Sequence, residues 1–206
     1  GMGGPSFSVS CDEASGLDAL AIAADWLGRG EIDSAVVAAV DLTSDPRLRL
    51  AAEPLVERWE DAVGDCSVAV VLKRYSDAVR DGDHVYAIVG GEPGPTISVE
   101  EPRRSLGWTG AAAGLATVVT AALATDRRIV PPSSLWGRLM RRPSIDPSYW
   151  PSDRSGGPRT ARVAWRRGII FEVVESHRAD EDRQRPLGPA PVAVFPVYGG
   201  LTGLDR

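Results

Sequence analysis

Strands alternating with helices predict an α/β fold, with mixed sheets, at least partly parallel, around central buried helices. Three observations carry this prediction. Nearly continuous apolar runs within Ile32–Leu42 and Cys66–Lys73 have the length and β-branched content of strands buried on both faces. Between Ala14 and Leu27, apolar Leu17, Leu20, Ala21, Ala24 and Leu27 recur at helical spacing. The alanine-rich segment Thr109–Thr125 is apolar on most faces, so it predicts a helix enclosed by other elements.

In chain order, Ser6–Ser10 alternates and reads as a short strand. Asp12, Glu13 and Ser15 then supply cap and first-turn residues for the Ala14–Leu27 helix, which Gly28 and Gly30 stop. Leu48–Trp59 reads as helical, Ser76–Asp81 as a short helix, and the turn Asp81-Gly82-Asp83 leads into a strand over Val85–Val89. Gly90–Pro102 is rich in Gly and Pro and reads as a loop; Pro131–Gly157 reads as irregular for the same reason. Ala161–Val174 reads as two strands joined at Arg166-Arg167-Gly168. Glu175–Arg185 is a run of mixed charge and reads as solvent-exposed. The expected organisation is one domain over residues 4–182 and a Pro/Gly-rich tail or linker over residues 183–206. That tail holds one apolar burst, Val192–Val197, able to dock on the domain.

Bulk properties narrow the function classes. With 206 residues the chain can bury a substantial core of its own. A net charge of -5 gives no basic bias toward nucleic acid. No apolar run reaches the roughly 18 residues a membrane-spanning helix needs. Cytoplasmic location with reduced thiols is the expectation for Cys11 and Cys66. There is no phosphate loop, dinucleotide glycine fingerprint or metal-spaced Cys/His cluster, so neither a cofactor nor a metal is expected.

The segment GPSFSVSCDEASGL, Gly4–Leu17, resembles the nucleophile segment of β-ketoacyl synthases, typically GP-x-x-x-V-D-T-A-C-S-S-S-L. Further blocks fit the same family in the same order. GEIDSAVVAAVDL (Gly30–Leu42) is similar to the strand after the nucleophile helix. Gly64–Gly91 is similar to the family's EGA-x-x-x-V-L-K-R-L-S-D-A stretch. SLGWTGAAAGLATVVTAALA (Ser105–Ala124) is similar to N-I-G-H-T-E-A-A-A-G, and IVPPS (Ile129–Ser133) to the I-P-P-x after it. The wording VSCDEASG leans toward ketosynthase-like domains of polyunsaturated fatty acid and polyketide synthases, including their chain-length-factor-type partners. The resemblance implies a partial thiolase-like fold in a shortened, degenerate ketosynthase-like domain.

The chemistry the resemblance implies is missing at named positions. In register, the reactive cysteine falls on Glu13, the second catalytic histidine on Trp108, and its acidic neighbour on Gly110. The block that would carry the first histidine has no counterpart. A carboxylate is a poor acyl acceptor, and an indole offers a donor but cannot shuttle a proton near neutral pH. Without the family, Glu13 is a capping or first-turn carboxylate, Cys66 a structural thiol in a strand, and His84 an exposed residue after a turn. His177 lies in the charged run. Cys11, two positions upstream of Glu13, is the alternative nucleophile. No catalytic residue is therefore expected.

The expected protein is an inert scaffold: a homodimer, or a heterodimer with a ketosynthase, joined through Ser6–Ser10 as the resemblance implies. The alternative is an acyl-thioester or acyl-carrier-protein binding or acyl-transfer protein with a site reassigned around Cys11 and Glu13. Arg138, Arg141 and Arg142 would then receive an acidic carrier protein.

Overall fold

The computed structural model describes residues 3–42, 45–47, 50, 64–90, 96–99, 106–131, 148–151, 157–164, 170–176 and 192–197. In order they form α1 (Ser15–Arg29), β1 (Ser34–Leu42), β2 (Asp65–Arg74), α2 (Tyr75–Asp81), β3 (Ala87–Val89) and β4 (Thr96–Val99). A 3-10 turn, Gly110–Ala112, leads into α3 (Ala113–Arg127). Beyond α3 come β5 (Ile129–Val130), β6 (Ser148–Tyr149), β7 (Thr160–Ala164), β8 (Ile170–Glu175) and β9 (Val192–Val197).

Seven strands form one sheet in the order β1-β2-β9-β3-β8-β7-β4, and β5 pairs with β6 separately. The sheet is mixed, as expected, but only β4 with β7 is a parallel pair; the remaining neighbours are antiparallel. β8 and β9 both run antiparallel to β3 and flank it, so the chain crosses over β3 to enter β9.

The two long helices share one core with this sheet. Leu17, Leu20 and Leu27 of α1 pack with Val37, Val70, Leu72, Leu115, Val118, Val163 and Val173. Of the expected α1 stripe, Leu17, Leu20 and Leu27 are buried, whereas Ala24 is half-buried and Ala21 exposed, with Ala23 buried instead; α3 is buried along nearly its whole length, as an alanine-rich helix with no polar face requires. Two glycines let the helices approach closely. A Cβ on Gly16 would stand 2.9 Å from the Leu115 Cβ, and one on Gly114 would stand 2.6 Å from the Leu17 Cγ.

Several expectations change. Ser6–Ser10 is not a strand: no ladder partner for it lies among the described residues, and all but the half-buried Val9 are exposed. β1 is not buried on both faces. It is the edge of the sheet, and Val36, Val40 and Leu42 are 51, 64 and 59% exposed on the face away from α1. An apolar run alone cannot tell an interior strand from an edge strand whose outer face lacks a cover. Thr96–Val99, inside the expected loop Gly90–Pro102, is a strand; four residues flanked by Gly and Pro gave too short a period to read. Six residues of the expected tail, Val192–Val197, lie inside the sheet, where they join β2 to β3. The proline that argued for a tail is accommodated because Pro196 pairs with Val70 of β2, while β3 reaches only Val192–Val194. Most of the expected helix Leu48–Trp59, the Arg166-Arg167-Gly168 junction and the charged run from His177 lie outside the described residues.

Candidate functional site

The site is the junction between the start of α1 and the turn entering α3. Ahead of α1 the chain folds back sharply. Asp12 adopts φ 49°, a left-handed conformation uncommon outside glycine. The turn is closed by the Ala14 N–H donating to the Cys11 carbonyl at 3.0 Å and the Ser15 N–H donating to the Asp12 carbonyl at 3.2 Å. Ser15 ties both sides: its hydroxyl donates to the Asp12 carbonyl at 2.6 Å and accepts from the Cys11 N–H at 2.9 Å.

Glu13 does not cap the helix. The cap position is Ala14, and no side chain makes a capping bond there. The Glu13 carboxylate instead accepts from the Trp108 indole, Nε1 to Oε1 at 2.9 Å. Ninety-five residues separate the two in sequence, and they are the positions on which the resemblance would place the reactive cysteine and the second catalytic histidine. Both are half-buried. The pair joins a carboxylate acceptor to an indole donor that cannot give up its proton near neutrality, so it lacks the thiol and the imidazole of the family pattern.

The strand ends of β1 and β2 hold the Trp108 segment from behind. The Gly64 N–H donates to the Trp108 carbonyl at 3.0 Å, and a Cβ on Gly64 would fall 1.8 Å from the Leu106 carbonyl oxygen. Only glycine allows that approach. Asp41 Oδ2 accepts the Ala111 N–H at 2.7 Å. Its partner across the ladder is Cys66, whose thiol is pushed up by burial and, secondarily, by the Asp41 charge. A buried thiol held protonated is a poor nucleophile, in line with the structural role read from its strand.

Cys11 is half-buried beside the turn and is not in a disulfide. His84 is exposed; it rests edge-on against Tyr86, with its Nε2 3.9 Å from Asp126 Oδ1. Arg138, Arg141, Arg142 and His177 lie outside the described residues. No group of three or more His, Cys, Asp or Glu side chains able to hold a metal occurs among the described residues. No described helix is long and apolar enough to cross a membrane. Sequence reasoning missed Asp41. The signal was present: one carboxylate near the end of the otherwise apolar run SAVVAAVDL.

Known proteins share this geometry's framework. The family model described as beta-ketoacyl synthase, N-terminal domain, matches residues 1–55. A PKS-NRPS hybrid synthetase of Aspergillus niger is 34% identical over 141 residues, 62% of this chain and 7% of that protein. The 5-methyl-1-naphthoate synthase of Streptomyces sahachiroi is 35% identical over 99 residues, 42% of this chain and 6% of that protein. The chain thus spans a small fraction of the curated relatives it matches. In fold, it is similar to the ketosynthase from module 6 of the bacillaene synthase of Bacillus subtilis, with a TM-score of 0.64 at 17% identity over 85% of this chain and 47% of that one. It is also similar to a PfaC keto synthase-chain length factor, with a TM-score of 0.57 at 18% identity over 81% of this chain and 27% of that one. The ordered motifs, the family match at the α1 end, the polyketide synthase relatives and the thiolase-like architecture all make this chain similar to ketosynthase-family proteins.

Proposed function

We propose that this chain is a non-catalytic ketosynthase-like subunit, a dimeric scaffold or partner of an active ketosynthase in cytoplasmic fatty acid or polyketide assembly. One observation carries the reading: the Trp108 indole donates to the Glu13 carboxylate, so the two positions that would do the chemistry are committed to each other. Acyl transfer needs a nucleophile that attacks a thioester and a group that stabilises the resulting charge. Glu13 is a weak nucleophile whose oxygen is already engaged, and Trp108 occupies the place of an imidazole.

Partnership is supported by what the fold leaves uncovered. Ser6–Ser10 is largely exposed and has no ladder partner among the described residues, with Phe7 set against Trp26 of α1 at a ring separation of 5.4 Å. An uncovered segment of this kind suits pairing with the same segment of a second copy or of a ketosynthase. A ketosynthase and a chain length factor occur together in the PfaC structure similar to this one. Carrier-protein contact through Arg138, Arg141 and Arg142 is part of the same proposal.

The test has two arms. Intact-mass measurement after incubation with acyl-thioesters is expected to show no adduct, and light scattering to show a dimer, alone or with a co-expressed ketosynthase. A stoichiometric acyl group on Cys11 or Glu13 would overturn the inert reading in favour of a reassigned acyl-transfer site. A concentration-independent monomer that ignores the ketosynthase would overturn the scaffold role.

A further inference from the structure

We infer that Asp41, on β1, is the positioning residue of the Glu13–Trp108 pair. It supplies the carboxylate that orders the Trp108 turn and excludes any side chain at position 110. The inference deepens the reading of that site given above and rests on it only for the site's role.

The geometry is specific. Gly110 has φ 48°, and a Cβ built on it would lie 2.3 Å from Asp41 Oδ2 and 2.7 Å from its Cγ. The Asp41 carboxylate therefore fills the volume that a residue-110 side chain would need. The same oxygen accepts the Ala111 N–H at 2.7 Å, at the first turn entering α3. This N–H belongs to the start of the helical run, where donors have no intrahelical acceptor and negative charge is favoured. Trp108 lies two residues ahead of Gly110, and its own carbonyl takes the N–H of Gly64, the residue just before β2. Asp41 and Gly64 lie at the same end of the β1–β2 ladder, whose register runs Asp41 to Cys66 and Leu42 to Asp65. That one ladder end thus grips the 106–111 segment at two points, the Trp108 carbonyl and the Ala111 N–H. The indole reaches Glu13 from a backbone whose position this grip sets. A carboxylate at 110, where the family pattern has one, and a carboxylate at 41 would compete for a single volume, so each residue fixes what the other can be.

The experiment tracks the Trp108 indole N–H cross-peak in the full chain, assigned by its loss in Trp108→Phe. Glu13→Gln defines where the peak moves when its charged acceptor is replaced. Asp41→Ala is expected to move it in the same direction, and Asp41→Asn, which keeps an oxygen acceptor, to move it less. Should Asp41→Ala not fold, the Asp41→Asn displacement decides. A peak that stays in place while the Tm falls would reduce Asp41 to a helix cap and overturn the inference. A second measurement compares Gly110→Ala in two backgrounds. It is expected to lower the Tm strongly beside Asp41 and much less in Asp41→Gly; equal losses would also overturn the inference. These outcomes are distinct from those for the inert scaffold: an acyl adduct would refute that role while leaving the Trp108 response to Asp41 unchanged.

Discussion

Two polar clusters in this molecule face opposite fates. At the foot of α3, Arg159 and Glu175 are both buried; Arg159 Nη1 donates to both oxygens of Glu175, at 3.0 and 2.9 Å. Arg159 Nε also donates to the Trp150 carbonyl at 2.9 Å, Glu175 takes Arg128 Nε at 3.2 Å, and the Glu175 N–H bonds the Arg159 carbonyl. That cluster staples α3, β7, β8 and the residue after β6. At the head of α1, Glu13 and Trp108 are half-buried and joined by the indole-to-carboxylate bond. The first cluster is embedded in the core and costs the fold dearly if half of it is removed. The second stands at the surface end of the same core, above the packing of Leu17 against Gly114. The residues that hold the core and the residues of the candidate site are different, so the site can be altered while the packing beneath it stays.

Breaking the comparison should be hardest at the buried cluster. Glu175→Leu strands the Arg159 charge and should cost about 3–5 kcal/mol by urea denaturation. Leu17→Ala, which empties the contact with Gly114, should cost about 3 kcal/mol. Glu13→Gln retains an acceptor but loses its charge and should cost about 1 kcal/mol, with a shift in tryptophan emission as the readout. If Glu13→Gln proved as damaging as Glu175→Leu, the head of α1 would be part of the structural frame and the contrast would fail.

The smallest effect lies on the surface. Arg80, and then Lys73, hold the Asp81 carboxyl down at about 2 against an ordinary 3.8. A lowered folded-state value contributes stability that is present above pH 3.8 and is lost as pH falls through about 2. Asp81→Asn should therefore flatten the acid limb of the Tm profile in that window, and high salt should shrink the difference because the group is exposed.

Much of this was legible in sequence because helices announce themselves locally. The α1 leucines, the α3 alanine run, the turn at Gly82 and the candidate residues Glu13 and Trp108 can all be read along a few turns of chain. Their meeting could not, since a bond across 95 residues depends on how two helices pack. Asp41 escaped for the same reason: its use appears only once Gly110 is seen against it. The exposed face of β1 and the strand at Thr96–Val99 were hidden because a strand's burial is decided by its neighbours, not by its own composition.

The placement of β9 bears on how the molecule is made. The ribosome releases Val192–Val197 after every other described strand, yet these residues occupy the middle of the sheet. Until they emerge, β2 and β3 have no common neighbour, and the nascent chain can assemble only two partial sheets. Completion of the sheet therefore waits for β9, and a nascent chain stalled near residue 182 would expose two sticky strand edges to chaperones or to other chains.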